Sequence, residues 1–333
     1  MKKLIPIAVA TALLLTACGS GNYAATQLPA EPQAAPTTST TPVAPRPCTD
    51  GLNALASYAP DSSTPAPGGA MPAGSWMEEI QKRGRLIAGV SADSLNLGYR
   101  DPITGKIQGF DIDMINAVAA AIFPDAPTNP RRVELRVISS PQRIPSLKAT
   151  NNPVDIVARN MTINCDRWHD IAFSAEYYRS GQKTLVPLDA PEKSVQELSG
   201  KTICAPAGST SLDNLKKANP KVVPITADTD TGCLVLFQQG KAYGISGDDT
   251  VLAGDAAQDP YARVITTQRF SEEPYGLGVS LLHPEFVRFV NVVLQQMKDS
   301  GAWKISYDKW LKAALGPAPV PPKAIYGRVP VKQ

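Results

Sequence analysis

Apolar and polar positions follow two rhythms along this 333-residue chain, and each rhythm predicts its own elements. Short β-branched runs bounded by polar or glycine-containing turns read as strands: Arg85–Val90, Val133–Ile138, Val154–Val157, Thr184–Val186, Lys201–Ala205, Val222–Val223, Tyr243–Ser246 and Val264–Ile265. Tyr275–Val279 reads as a strand leading back. Between the strands, apolar residues recur every three or four positions. Ile112, Ile115, Ala119 and Ile122 predict a helix ending near Phe123-Pro124, with Asp111 as its N-cap. Shorter helices are expected over Arg143–Ala149, through Leu212 and Leu215, and over Gly232–Gln239. Asp101–Lys106 fits a hairpin turn. Phe286, Phe289, Val290, Val293, Leu294 and Met297 form a helical stripe, and Trp303, Tyr307, Trp310 and Leu311 a second, both read as core. A strand–helix alternation that starts twice argues for an α/β fold with mostly parallel, doubly wound sheets.

The ends break the pattern. Lys2 and Lys3 precede a short apolar run, Leu4–Leu15, that is too short for a stable transmembrane span and has the form of an export signal. It closes on Leu15-Thr16-Ala17-Cys18, which resembles a bacterial lipobox, so Cys18 is expected to be acylated and to anchor the mature chain. Residues 19–75 are rich in Pro, Ala, Ser and Thr and read as an extended tether. Within them, Cys48–Tyr58 is expected to pack locally as a short helix. Residues 317–333 form a second proline-rich tail.

Within the globular part, the stretch from Asp155 to Tyr178 concentrates polar chemistry. A buried strand ends at Val157 and is followed at once by Arg159, Asn160, Thr162, Asn164, Asp166 and Arg167. Open α/β sheets bind ligands beyond the carboxyl ends of their strands. Two guanidinium groups there suit a carboxylate, which they can hold bidentately; the alternative is pairing with neighbouring acids. Gly208-Ser209-Thr210-Ser211 leads from a strand into a helix, a place that favours anions, or is a simple N-cap. It lacks the Gly-Lys-Ser/Thr ending of a phosphate loop. Asp248 and Asp249 follow another strand.

Charge and cysteines narrow the classes. The sequence holds 33 basic and 30 acidic residues, and without Lys2 and Lys3 the balance is 31 against 30. With no basic stripe and no aromatic–basic interleaving, nucleic acid is not an expected partner. Apart from Cys18, four cysteines remain, and an even number in an exported chain argues for disulfides. Of the three pairings, Cys204–Cys233 and Cys48–Cys165 are favoured: the first lies within one expected lobe, the second pins the tether beside Arg167. No CxxC or HxxxH spacing suggests a metal, and no cofactor is expected. The two histidines, His169 and His283, read as surface or packing residues and no catalytic order is evident, so an enzyme is not expected.

Taken in order, GRLIAGV, GFDIDM, VDIVARNMTINCDRWHDIAFSAEYY, GSTS, GKAYGISGDD, YGLGVSL and SGAWKISYDKWL resemble the polar amino-acid solute-binding proteins of bacterial ABC transporters. The lipobox, long tether, DPITG turn and cysteine positions look nearest to actinobacterial glutamine-binding lipoproteins of the GlnH type. The resemblance covers about Arg85 to Leu311. It implies a two-lobed type 2 periplasmic-binding-protein fold with two crossing strands. Lobe 1 would be 76–183 with 276–316 and lobe 2 184–275, after a signal peptide at 1–18.

The resemblance also implies a site. Arg167 would clamp the α-carboxylate of an amino acid, helped by the hydroxyl or amide of Thr162 and by Thr210 of lobe 2, with Asn160 and Ser209 beside them. Asp248, or its neighbour Asp249, would receive the α-ammonium. Arg159 would select a side-chain carboxylate or amide oxygen, predicting aspartate or glutamate with asparagine and glutamine tolerated; the alternative turns Arg159 to solvent. The first loop has no aromatic before Tyr99, so Leu97 or Tyr99 would form the lobe 1 wall. Tyr243 replaces a common aspartate and reads as structural. The expected protein is a monomer, lipid-anchored on the extracytoplasmic face of the cell membrane. Its expected partner is an ABC permease or, alternatively, a membrane sensor linked to a serine/threonine kinase.

Overall fold

The strand Leu86–Val90 is buried at all five positions and pairs in parallel with Val133–Val137 on one side and Ile156–Ala158 on the other. Buried on both faces, it reads as a continuous apolar run rather than an alternating one. Gly278–Val279 and Ala172–Phe173 complete this five-stranded sheet in antiparallel fashion. The computed structural model describes residues 46–48, 51–151, 153–265 and 269–330. The export-signal stretch, Cys18 and most of the expected tether lie outside them. No described helix is long and apolar enough to cross a membrane.

A second sheet repeats the plan. Val223–Ala227, Thr202–Pro206 and Gly244–Asp248 run parallel, and Tyr178–Pro187 joins them antiparallel. That ten-residue strand is far longer than the expected Thr184–Val186, because it also carries Ser271–Tyr275 along its first half. These two strands cross between the lobes. The run expected as one strand over Tyr275–Val279 is divided at Gly276-Leu277: Ser271–Tyr275 belongs to the second sheet and Gly278–Val279 to the first. This is the two-lobed, type 2 periplasmic-binding-protein architecture.

Helix Phe110–Ile122 packs on the first sheet, and its N-terminal residue Phe110 sits among Tyr177, Tyr178, Trp303 and Tyr307, mostly edge to face. Each such buried aromatic contributes roughly 1.5–3 kcal/mol through apolar burial. Helix Pro284–Asp299 covers the same lobe with Phe286, Phe289, Val290, Val293 and Leu294, as its stripe predicts. Asp111 is not the N-cap. Gly109 holds that position, and Asp111 is buried in the first turn, accepting from the Asn160 backbone N–H (2.8 Å) and the Tyr177 hydroxyl (2.7 Å).

The expected helix over Cys48–Tyr58 is also corrected. Ala56–Tyr58 is a buried strand paired in parallel with Ile325–Arg328 of the C-terminal tail. The Ser57 hydroxyl donates to the Phe173 carbonyl, and the Trp168 indole to the Ala54 carbonyl (2.7 Å), so long-range bonds override the local helical preference. Both favoured disulfides are present, Cys48–Cys165 and Cys204–Cys233.

Candidate functional site

Most of the polar groups of the inter-lobe cleft follow the carboxyl end of a parallel strand. In the first lobe these are Asp93 and Ser94 after Leu86–Val90, Arg143 after Val133–Val137, and Arg159 to Thr162 after Ile156–Ala158. In the second they are Thr210 after Thr202–Pro206, Asp230 after Val223–Ala227, and Asp248 at the end of Gly244–Asp248. The lobes meet along this line. Ser94 Oγ donates to Asp230 (2.8 Å), Thr231 Oγ1 donates to the Asp93 carbonyl (2.8 Å), and the Ser140 N–H donates to the Asp228 carbonyl (3.0 Å). Gly208 comes within 3.3 Å of Pro141 when given a Cβ and has φ +65°, so glycine permits this approach.

Three buried arginines converge here. Arg167 sits on the helical turn Cys165–Trp168, whose N-cap Asn164 accepts from the Arg167 N–H (2.8 Å) and whose first residue is bridged to Cys48. Its guanidinium donates to the Thr162 carbonyl (2.7 Å) and toward the Gly208 carbonyl of the other lobe (3.4 Å). Burial lowers its pKa, which the Glu273 and Asp248 charges partly offset.

Arg159 is fully buried, so it does not turn to solvent. Nor is it free: it donates to the Ile138 carbonyl (2.9 Å) and Ser140 Oγ, and lies 3.5 Å from Asp230 and 3.8 Å from Asp93. Its charge is shared with acids from both lobes. Arg143 is different. It donates to the carbonyls of Ser140, Arg159 and Asn160 and, across the cleft, Gly208 (2.9–3.4 Å), and among the described residues it has no carboxylate partner. Burial first, then the neighbouring Arg167 and Arg159, push its pKa well down. A buried cation without a counter-charge is costly and selects an anion.

The second lobe presents a hydroxyl and two carboxylates. Thr210 opens helix Thr210–Ala218, whose first N–H groups and dipole favour an anion. Its hydroxyl and that of Thr162, 3.2 Å apart, both donate to Glu273 Oε2 at 2.7 and 2.6 Å. A hydroxyl has one proton, so each threonine then shows only lone pairs to a ligand. Asp248 accepts from the Tyr275 hydroxyl (2.6 Å), and burial together with the Glu273 charge raises its pKa well above the ordinary carboxyl value. Asp249 instead pairs with Ser180 (2.6 Å) and Arg269 (2.9 Å).

Among the described residues, five buried side-chain polar atoms lack a hydrogen-bond partner, and three belong to this region: Arg159 Nη2, Asn160 Oδ1 and Asp255 Oδ2. Asn160 adopts φ +37°, held there by Asp111. The structure therefore gathers Arg167, Arg159, Asn160, Thr162, Thr210 and Asp248. Ser209 is spent as the N-cap, accepting from the Leu212 N–H and donating to the Pro206 carbonyl. Leu97 is in the core and Tyr99 packs edge-on against Trp310, so the first loop contributes Asp93 and Ser94 instead. Tyr243 bonds Glu192 (2.7 Å), a structural contact.

Sequence reasoning missed Arg143, Asp93, Asp230 and Glu273. The first three could have been found by applying the strand-end rule to the remaining parallel strands as well. Glu273 lies within a strand, and nothing in its sequence context marks it. Among the described residues, no group of three or more His, Cys, Asp or Glu side chains is arranged to hold a metal ion.

A two-lobed fold with a cleft that carries separate cationic and anionic groups defines a small-molecule-binding protein. The chain matches the bacterial extracellular solute-binding proteins, family 3, over residues 86–313, and belongs to that family. It is 36% identical over 203 residues to the glutamine-binding protein of Geobacillus stearothermophilus, covering 61% of this chain and 75% of that one. It is 29% identical over 279 residues to the glutamate/aspartate import solute-binding protein of Salmonella typhimurium, covering 82% and 87%. Among solved structures it resembles the ancestral amino acid-binding protein AncCDT-1, a precursor of cyclohexadienyl dehydratase. The TM-score is 0.63 at 29% identity, over 72% of this chain and all of that one.

Proposed function

We propose that this chain is an extracytoplasmic amino-acid-binding protein, anchored to the cell membrane through an acylated Cys18, that delivers a polar amino acid to an ABC permease. The lobes taken here are 76–183 with 276–316, and 184–275. The carrying observation is Arg143, a buried guanidinium that bonds only carbonyls from both lobes and has no carboxylate partner among the described residues. Beside it, Arg167 and the start of helix Thr210–Ala218 offer a place for an α-carboxylate, and Asp248 one for an α-ammonium. Each lobe alone satisfies part of the ligand, so binding favours the closed form. The side-chain role first given to Arg159 passes mainly to Arg143, since Asp93 and Asp230 already share the Arg159 charge. The ligand is then aspartate or glutamate, with asparagine and glutamine accepted through Asn160 Oδ1 and Arg159 Nη2, neither of which has a hydrogen-bond partner among the described residues. The groups are arranged for binding rather than catalysis: His169 bonds the Pro47 carbonyl and His283 stacks on Trp76.

Thermal shift and calorimetry with all twenty amino acids test this reading, because a ligand of the folded state raises the melting temperature. Selective stabilisation by aspartate, glutamate or their amides is expected. Stabilisation by lysine or arginine instead overturns the ligand assignment, and no response to any amino acid overturns the function.

A further inference from the structure

A cavity of about 780 Å³ lies outside the amino-acid cleft, against the crossing strands. Its floor is one face of Tyr178–Pro187. Along that strand Ser180 and Gln182 are fully buried, while Arg179 and Lys183 alternate with them and line the cavity. Between these two, Gly181 leaves its face open. A Cβ there would fall 2.0 Å from Arg269 Cδ, so the Arg269 side chain lies flat over the strand and into the cavity wall. The opposite wall is the C-terminal tail. It leaves the last helix at Gly316, contributes Pro317, Pro319, Val320 and Pro322, and is fastened beyond them where Ile325–Arg328 pairs with Ala56–Tyr58. Lys298 also donates to the Pro322 carbonyl (2.7 Å). Proline-rich backbone of this kind is preformed and costs little ordering entropy.

The charge of this cavity is unbalanced. Its two carboxylates are already matched, Glu176 to Arg179 (2.7 Å) and Asp249 to Arg269 (2.9 Å). Lys183 and Lys323 remain, and among the described residues neither has an ion-pair partner. These two lysines line the same cavity as the tail prolines, Val320 and the rings of Tyr178 and Tyr307. The volume is that of an ordinary small-molecule site. We propose that this hinge-side cavity is a second ligand site, for a small organic anion: a carboxylate held by Lys183 and Lys323 on an apolar body packed against the tail.

4-Phenylbutyrate is a suitable probe, titrated calorimetrically into the full chain, with 4-phenylbutanol and succinate as the matched compounds lacking the charge or the apolar body. One saturable site is expected, at least tenfold stronger for 4-phenylbutyrate than for either control. Lys183→Glu and Lys323→Glu each weaken it tenfold or more, and Arg167→Ala, in the cleft, leaves it unchanged. Absence of saturable binding, equal binding of a control, survival in both lysine variants, or loss in Arg167→Ala overturns the proposal. Lys323 is exposed on the tail, so its variant decides the matter if Lys183→Glu fails to fold.

Discussion

The Thr162 hydroxyl gives its proton to Glu273, at 2.6 Å, and so ties the floor of the first lobe to a crossing strand. The same Glu273 oxygen accepts from Thr210 of the second lobe (2.7 Å), while Oε1 accepts from Asn214 (2.8 Å) and Ser271 (2.6 Å). One buried carboxylate therefore bridges both lobes and the hinge.

Glu273→Ala leaves four donors facing a void. Losing the acceptor of buried, charge-assisted bonds costs about 2–5 kcal/mol. Urea unfolding of the ligand-free protein should show that loss, and small-angle scattering should show a more open average shape. An unchanged midpoint and an unchanged radius of gyration would mean that Glu273 ties nothing together.

Arg167 and Arg143 should separate by what their loss does. Arg167→Ala is expected to weaken amino-acid binding on the order of a hundredfold or more, the usual effect of removing one member of a buried charge pair. Arg143→Met should weaken binding of aspartate and glutamate at least tenfold while leaving the ligand-free melting temperature the same or higher. Its buried guanidinium meets only carbonyls, at 2.9–3.4 Å, so its removal relieves a desolvation cost. A melting temperature several degrees lower, with binding intact, would make Arg143 a structural residue.

Local patterns carried most of the fold. The parallel strands and the stripes of helices Phe110–Ile122 and Pro284–Asp299 are legible because a buried strand or a one-sided helix writes its environment into consecutive residues. Ala56–Tyr58 was not legible. Its partner, Ile325–Arg328, lies far off in sequence, and its burial depends on bonds to Phe173 and Trp168. The cleft was legible where a residue belongs to a motif, as Arg167 does, and not where its role comes from who faces it. Arg159 is a plain strand-end arginine in the sequence. Only the closed fold puts Asp93 and Asp230 beside it.

The Cys48–Cys165 bridge closes a loop of 117 residues and holds the turn that carries Arg167. By chain entropy a loop of that size stabilises by roughly 5 kcal/mol, and measured values are often nearer 2–4. The paired change Cys48→Ser with Cys165→Ser should lower stability in that range and weaken amino-acid binding as well. Cys204→Ser with Cys233→Ser, closing a loop of 29 residues in the second lobe, should cost less. Equal losses of binding in the two variants would show that the first bridge has no particular hold on Arg167.

Asp111 gives the fold a pH dependence of definite sign. Burial raises its pKa to about 6 from 3.8, against the bonds from Asn160 and Tyr177. Between those values the folded chain holds a proton that the unfolded chain has released, so stability falls as pH rises from about 4 to 6. A shift of that size corresponds to about 3 kcal/mol, fully present below pH 4 and lost above 6. Asp111→Asn cannot ionise and should remove this slope, so the wild-type minus variant stability should decline across that window and level off above it. Asp111 also holds the Asn160 backbone, so a flat difference across pH 4 to 6 would mean that the carboxylate stays ionised and acts there only as a hydrogen-bond acceptor.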